Sequence, residues 1–122
     1  MKHKLILSVF FASCSLPLSG ATLVCSGKVE TLSYHAPNKL MIQLSDMNRP
    51  VFFCNPDAEW KVTGTSYITG PDTCKTLYAT FLAIKMSDKV VESMYFDGAQ
   101  VPSDCQSWES WNYANIRHFK IK

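Results

Sequence analysis

The chain has 122 residues with a formal net charge of +2, and 47% of its residues are hydrophobic against 18% charged. That length makes one domain with a core to bury, and no apolar run reaches the roughly 18 residues of a membrane span. Broad counterion release onto nucleic acid is excluded as a mode of binding. The processing argued next removes Lys2 and Lys4 from the twelve basic residues and none of the ten acidic ones, so the net charge falls to about zero.

The first residues read as a secretory signal. Met1 to Lys4 is basic, Leu5 to Ala12 is apolar, and Ser19-Gly20-Ala21 offers small residues for cleavage, so the expected leader is 1–21 and the expected single domain 22–122. The mature protein is then periplasmic or secreted. A competing reading takes Ala12-Ser13-Cys14-Ser15 as a bacterial lipoprotein signal, with the protein anchored through Cys14. Either route exposes Cys25, Cys54, Cys74 and Cys105 to an oxidising compartment, where an even count reads as two disulfides. No C-x-x-C spacing is present, so no zinc site is expected, and no motif calls for any other metal or cofactor.

The elements follow in chain order. Val24 to Tyr34 reads as a strand broken by His35-Ala36-Pro37-Asn38, and Leu40 to Leu44 alternates as a second strand closed by Asp46 to Pro50. Val51-Phe52-Phe53-Cys54 is a third strand, with an extension expected over Trp60 to Ile68. Thr69-Gly70-Pro71-Asp72 then turns the chain into a helix, with Asp72 or Thr73 as its cap. The helix stripe runs through Cys74, Leu77, Tyr78, Phe81, Leu82 and Lys85, and Ser87-Asp88-Lys89 ends it. Val90 to Phe96 is a fourth strand, residues 99–112 are irregular, and Tyr113 to Ile121 is the last strand.

The order β-β-β-α-β-β is that of an OB-fold, the five-stranded Greek-key barrel with a helix between its third and fourth strands. In such a barrel the fourth strand lies antiparallel to the first. Cys25 is thereby placed near Cys105, and Cys54 near Cys74 at the helix entry, although pairing of Cys25 with Cys54 stays open.

Two loops carry the candidate binding residues. Tyr34 and His35 stand in the first inter-strand loop, one of those an OB-fold turns toward oligosaccharides, and "CQSWESWNY" groups Trp108, Trp111 and Tyr113. Aromatic rings offer flat faces to sugars. The competing assignment packs Trp108 or Trp111 over the barrel end and Tyr34 against the helix. Lys39, Arg49 and Arg117 read as isolated solvated charges. His35 and His118 have no nucleophile and acid spaced for a catalytic triad, and Asp57, Glu59 and Asp97 occupy turn positions, so no enzyme is expected.

The succession "RPVFFC", a tryptophan, "TLYATFLAIKMSDKVVESMYFDG", a cysteine and "ANIRHFKI" resembles the OB-fold B subunits of AB5 toxins, in particular those of the subtilase-cytotoxin and pertussis-like group. The resemblance implies a non-enzymatic subunit of a homo-oligomeric ring that binds a cell-surface glycan or another envelope or toxin protein. No sugar-contacting residue of that group is carried over. The reading is an exported binding or interaction domain. Its alternatives are a monomeric periplasmic or lipid-anchored accessory protein and a small-ligand carrier or inhibitor.

Overall fold

A computed structural model describes residues 20–122. Nearly all of the expected leader, and Cys14 with it, therefore lies outside the described residues. The described chain forms β1 (Ala21–His35), β2 (Lys39–Leu44), β3 (Val51–Cys54), β4 (Trp60–Lys61), β5 (Ile68–Thr69), α1 (Pro71–Met86), β6 (Val90–Gly98) and β7 (Asn115–Ile121). Five strands make one antiparallel sheet in the order β3-β2-β1-β6-β7, and β4 pairs with β5 in a separate ribbon. No helix among the described residues is long and apolar enough to cross a membrane.

β1 spans both halves of this sheet. Its first part, Ala21 to Lys28, pairs with β6, and its second, Val29 to His35, pairs with β2. A break in register between Cys25 and Gly27 comes two residues before the changeover, and Gly27 adopts φ 119°, which residues with a Cβ rarely adopt. A Cβ there would collide with the Ser45 hydroxyl, whose oxygen accepts the Lys28 backbone N–H at 3.0 Å. The second irregularity, between Val29 and Thr31, leaves carbonyls for the helix to satisfy. Lys85 Nζ donates to the oxygens of Val29 at 3.3 Å and Glu30 at 2.9 Å.

Two expectations change at β3. The sheet is not a closed barrel: β3 meets the residues just before β7 at one parallel bridge, Phe52 with Tyr113, where Phe52 N–H donates to Asn112 O at 2.9 Å and Ala114 N–H to Phe52 O at 3.0 Å. Four residues of β3 cannot pair along all of β7. Its run stops at Asn55-Pro56, where Pro56 lacks a donor and Asn55 Oδ1 takes the Asp57 N–H at 2.8 Å. The expected extension over Trp60 to Ile68 is instead the β4–β5 ribbon, because Gly64 at φ 90° reverses the chain and Thr65 bonds back to Val62 O through both N–H and Oγ. α1 thus follows the ribbon rather than β3.

The helix also begins differently. Gly70 is the N-cap and no side chain caps it, so neither Asp72 nor Thr73 has that role; Pro71, whose fixed φ suits the first turn, starts the helix earlier. Cys74, Phe81 and Ile84 are its buried residues, with Leu77 and Tyr78 packed at the margin. Leu82, expected on that stripe, is exposed, because the buried face is centred on the 74-77-81-84 line. Phe81 meets Phe53 of β3 edge-on at 5.5 Å and Phe119 of β7 at 5.1 Å, which closes the helix over the sheet.

Cys25–Cys105 and Cys54–Cys74 are the two disulfides, with Cα separations of 5.9 and 5.5 Å. Two such bonds fit an oxidising location outside the cytoplasm. They close loops of 80 and 20 residues.

Gly27→Ala should lower unfolding stability by about 1–3 kcal/mol in urea titrations, because strain and collision add. A wild-type midpoint would show that β1 bends without the positive φ. On loop entropy the Cys25–Cys105 bond contributes about 4.5 kcal/mol and the Cys54–Cys74 bond about 3 kcal/mol. The Cys25→Ser/Cys105→Ser protein should therefore melt below the Cys54→Ser/Cys74→Ser protein in parallel thermal scans. The reverse order would place the larger effect on the helix entry.

Candidate functional site

The outer side of β2 and β3 carries an aromatic face. Phe52 and Phe53 are consecutive in a strand, so only one can enter the core; Phe53 does, and Phe52 turns to the other side. There Phe52 meets the rings of His35 at 5.6 Å and Trp111 at 6.1 Å, the latter nearly parallel at 19°. His35 completes the triangle, its ring edge-on to Trp111 at 4.8 Å. Its Nδ1–H donates to the Ala36 carbonyl at 2.8 Å, which fixes the imidazole plane. Lys39 Nζ stands 5.4 Å from the Phe52 ring centroid, a cation over a π face. Beside the triangle is a shallow hollow of about 210 Å³ between Met41, Arg49, Pro50, Ser110 and Trp111, with Arg49 donating to the Ser110 hydroxyl across its rim.

Trp111 is held out rather than left out. It is 62% exposed and has φ 62°, the left-handed region where a bulky residue is uncommon. The segment around it is fixed from several directions. Cys105 is tied to Cys25, and the Asn48 amide donates to Trp108 O and accepts the Trp108 N–H, both at 3.0 Å. Asn112 donates to Gln100 O at 3.0 Å and accepts the Tyr113 N–H at 2.8 Å. A ring presented on such a frame loses little freedom when a flat ligand stacks on it.

The sequence candidates divide accordingly. His35 and Trp111 come together. Tyr34 is exposed and outside the ring triangle, its hydroxyl donating to Pro37 O at 2.7 Å, so it closes its own hairpin instead of packing on α1. Trp108 is 1% exposed and edge-on to Phe96 at 5.2 Å in the core, which removes its ring from the surface. Tyr113 is half-buried against Trp60 at 6.4 Å, and the Trp60 indole donates to Ala114 O at 3.0 Å. Phe52, Lys39, Met41 and Arg49 join the face without having been singled out for it. Strand alternation within "VFFC" was the available signal for Phe52.

A second polar arrangement lies where the ribbon meets the sheet. Asn115, fully buried, accepts the Thr69 hydroxyl at 3.1 Å and donates to Thr65 Oγ at 3.0 Å and Tyr67 O at 3.2 Å. Asp97 beside it is 8% exposed and fully engaged. Its Oδ1 accepts from the Thr22 hydroxyl at 2.6 Å, its Oδ2 accepts from Tyr67 OH at 2.8 Å, and the same Oδ2 forms an ion pair with Arg117 Nε at 3.3 Å. The turn carboxylate and the isolated cation of the sequence are thus one ion pair. Burial first, and then the hydrogen bond to Asp97 and its charge, push the Tyr67 phenol above the ordinary tyrosine range, with Arg117 opposing. Among the described residues no group of three or more His, Cys, Asp or Glu side chains could hold a metal ion.

Comparison with protein-family models, with curated proteins and with solved structures finds no match to this chain.

The Tyr67 environment has a consequence at high pH. Its folded pKa lies above the unfolded value of 10.0, so the folded state keeps a proton that the unfolded chain releases. The linked stability is fully present below pH 10 and declines as pH rises beyond it. Phenolate absorbance should show one tyrosine resisting ionisation until the protein unfolds, and Tyr67→Phe should remove that one. If Tyr67→Phe instead removes a tyrosine that titrates normally, burial and the Asp97 contact do not hold the proton.

Proposed function

We propose that the protein is an exported, non-enzymatic binding domain of OB-like build that holds a glycan on its aromatic face. The observation that carries this reading is Trp111, a large ring kept exposed in a left-handed backbone conformation by a pinned loop and braced by His35 and Phe52. Burial of an indole is worth more than almost any other single side chain, so holding one at the surface calls for something to cover it.

Topology supports the same reading. The order β3-β2-β1-β6-β7, with a parallel contact between its two ends, is the strand order of a five-stranded Greek-key barrel opened between its third and fifth strands. An OB-fold binds oligosaccharides and oligonucleotides on its second and third strands and on the loops flanking them. His35 ends β1 at the first of those loops, Phe52 lies on β3, and Trp111 belongs to the loop before the last strand. Balanced charge favours a sugar over a polyphosphate. Lys39, Arg49 and Ser110 supply hydrogen-bond donors around the rings, as a hydroxyl-rich ligand requires.

The test is glycan binding by the oxidised protein, first on an array and then by titration of the best ligand. Trp111→Ala should weaken that ligand roughly thirty-fold, about 2 kcal/mol, while the protein stays folded with at most a small fall in melting temperature from the lost Phe52 and His35 contacts. Equal affinity for Trp111→Ala, or an array with no ligand above background, would sink the assignment.

A further inference from the structure

We propose that the cleft between β5, α1 and β7 is a second binding site, one that takes a carboxylate carried on a small apolar body. It lies apart from the aromatic face and does not depend on the glycan reading. The cleft measures about 370 Å³, within the range of small-ligand pockets, and Tyr67 and Arg117 also line a separate hollow of about 220 Å³. Its apolar wall comes from Ile68, Leu77, Ile116 and Phe119. The polar groups around that wall are few: the hydroxyls of Tyr67, Thr69 and Thr73, and the basic side chains of Arg117 and His118.

The backbone of β7 turns both basic side chains to this place. Tyr95 pairs with His118 and Phe96 with Ile116, so Arg117 is the extra residue of a bulge. In a regular strand consecutive side chains point to opposite faces; here the His118 ring and the Arg117 guanidinium each lie 5.4 Å from the one Tyr95 ring, and both line the cleft. The bulge re-aims a cation that would otherwise point away.

Asp97 prepares that cation without quenching it. The pair comes closest at Arg117 Nε, 3.3 Å from Asp97 Oδ2, and among the described residues neither terminal nitrogen of Arg117 donates a hydrogen bond. Those nitrogens form the edge of a guanidinium that can grip a carboxylate with two parallel bonds. The Asp97 oxygens are already taken by Thr22, Tyr67 and Arg117, and the carboxylate is buried, so it presents little bare charge to an incoming anion. One free fork with one imidazole beside it suits a single carboxylate better than a doubly charged phosphate. The apolar wall gives the rest of the ligand a place to lie.

The probes are phenylacetate and its neutral analogue phenylacetamide, titrated into the oxidised full-length mature protein while backbone amide resonances are followed by NMR. Phenylacetate should shift the amides of Thr69, Arg117 and His118 saturably, and phenylacetamide should bind at least about tenfold more weakly. Arg117→Gln should lose the same factor for the acid. Arg117→Lys should recover little of it, because an ammonium has no fork. Trp111→Ala should leave the titration as in wild type, so this site and the glycan face succeed or fail separately. Acid and amide binding alike, no shift of these amides at millimolar acid, or an Arg117→Gln protein that titrates like wild type would each overturn the proposal. Should Arg117→Gln fail to fold, the comparison of acid with amide on the wild-type protein still decides.

Discussion

One strand has to serve two neighbours that diverge, and the rest of the molecule is arranged around that demand. β1 pairs with β6 along its first part and with β2 along its second, and a fifteen-residue strand cannot do this while straight. Gly27 supplies the bend, and Ser45 fills the space where its side chain would have been. The cost of bending is a set of backbone groups removed from the ladder. Ser45 recovers the Lys28 donor, and Lys85 reaches from α1 to recover the acceptors of Val29 and Glu30. The helix reaches β1 by Lys85 at its last turn and reaches β3 by Phe81 against Phe53. Cys25, in the same bend, carries the bond that anchors the loop of the aromatic face.

That coupling explains how so short a chain keeps an irregular segment rigid. Residues 99–114 contain no strand until the last bridge, and several of their backbone groups are satisfied one at a time by Asn48, Asn112 and the β3 edge. Most of these partners are single side chains, each worth about 1 kcal/mol net and readily exchanged for water. The disulfide to β1 and the burial of Trp108 against Phe96 keep the segment close enough for them to persist. Trp108 and Trp111, three residues apart, thus divide the work: the first secures the loop from inside, and the second is what the loop displays.

Much of this order was legible in the sequence, and the misses share a cause. Alternation in 40–44, turn residues at 35–38 and 69–72, and the stripe through Cys74, Leu77 and Phe81 place the elements within a few residues, because local periodicity reports which face is buried. Strand order pointed to the two disulfide pairs without excluding Cys25–Cys54, which the structure removes by pairing Cys25 with Cys105 and Cys54 with Cys74. Barrel closure did not follow from strand order, because it depends on how far β3 can run before Pro56, and a short apolar run does not reveal its own pairing length. The ribbon was hidden for a related reason: Val62, Thr63, Thr65 and Tyr67 have strand composition, and the reversal rests on Gly64 and one Thr65 side chain. At the site, clustered aromatics pointed to the right loops, yet their proximity in sequence could not separate Trp108 from Trp111. Arg117 and Asp97, apart in sequence and unremarkable singly, became a pair only through the β6–β7 register.

The incomplete closure of the sheet is what gives the molecule two different surfaces. At one end β3 makes a single bridge to Tyr113, just before β7, and Phe52 of that bridge stacks with Trp111. Further along β7 no strand continues the pairing, and the gap is covered by α1 and β5 instead. A helix and a two-residue strand do not fill the space that a full-length β3 would. The uncovered part of β7 is also where Arg117, His118 and Lys120 stand, and charges on an open strand discourage pairing with another chain. The same shortness of β3 therefore sets the aromatic face against the bridge and leaves a cleft along the rest of the edge, so lengthening β3 would close the second surface while keeping the first.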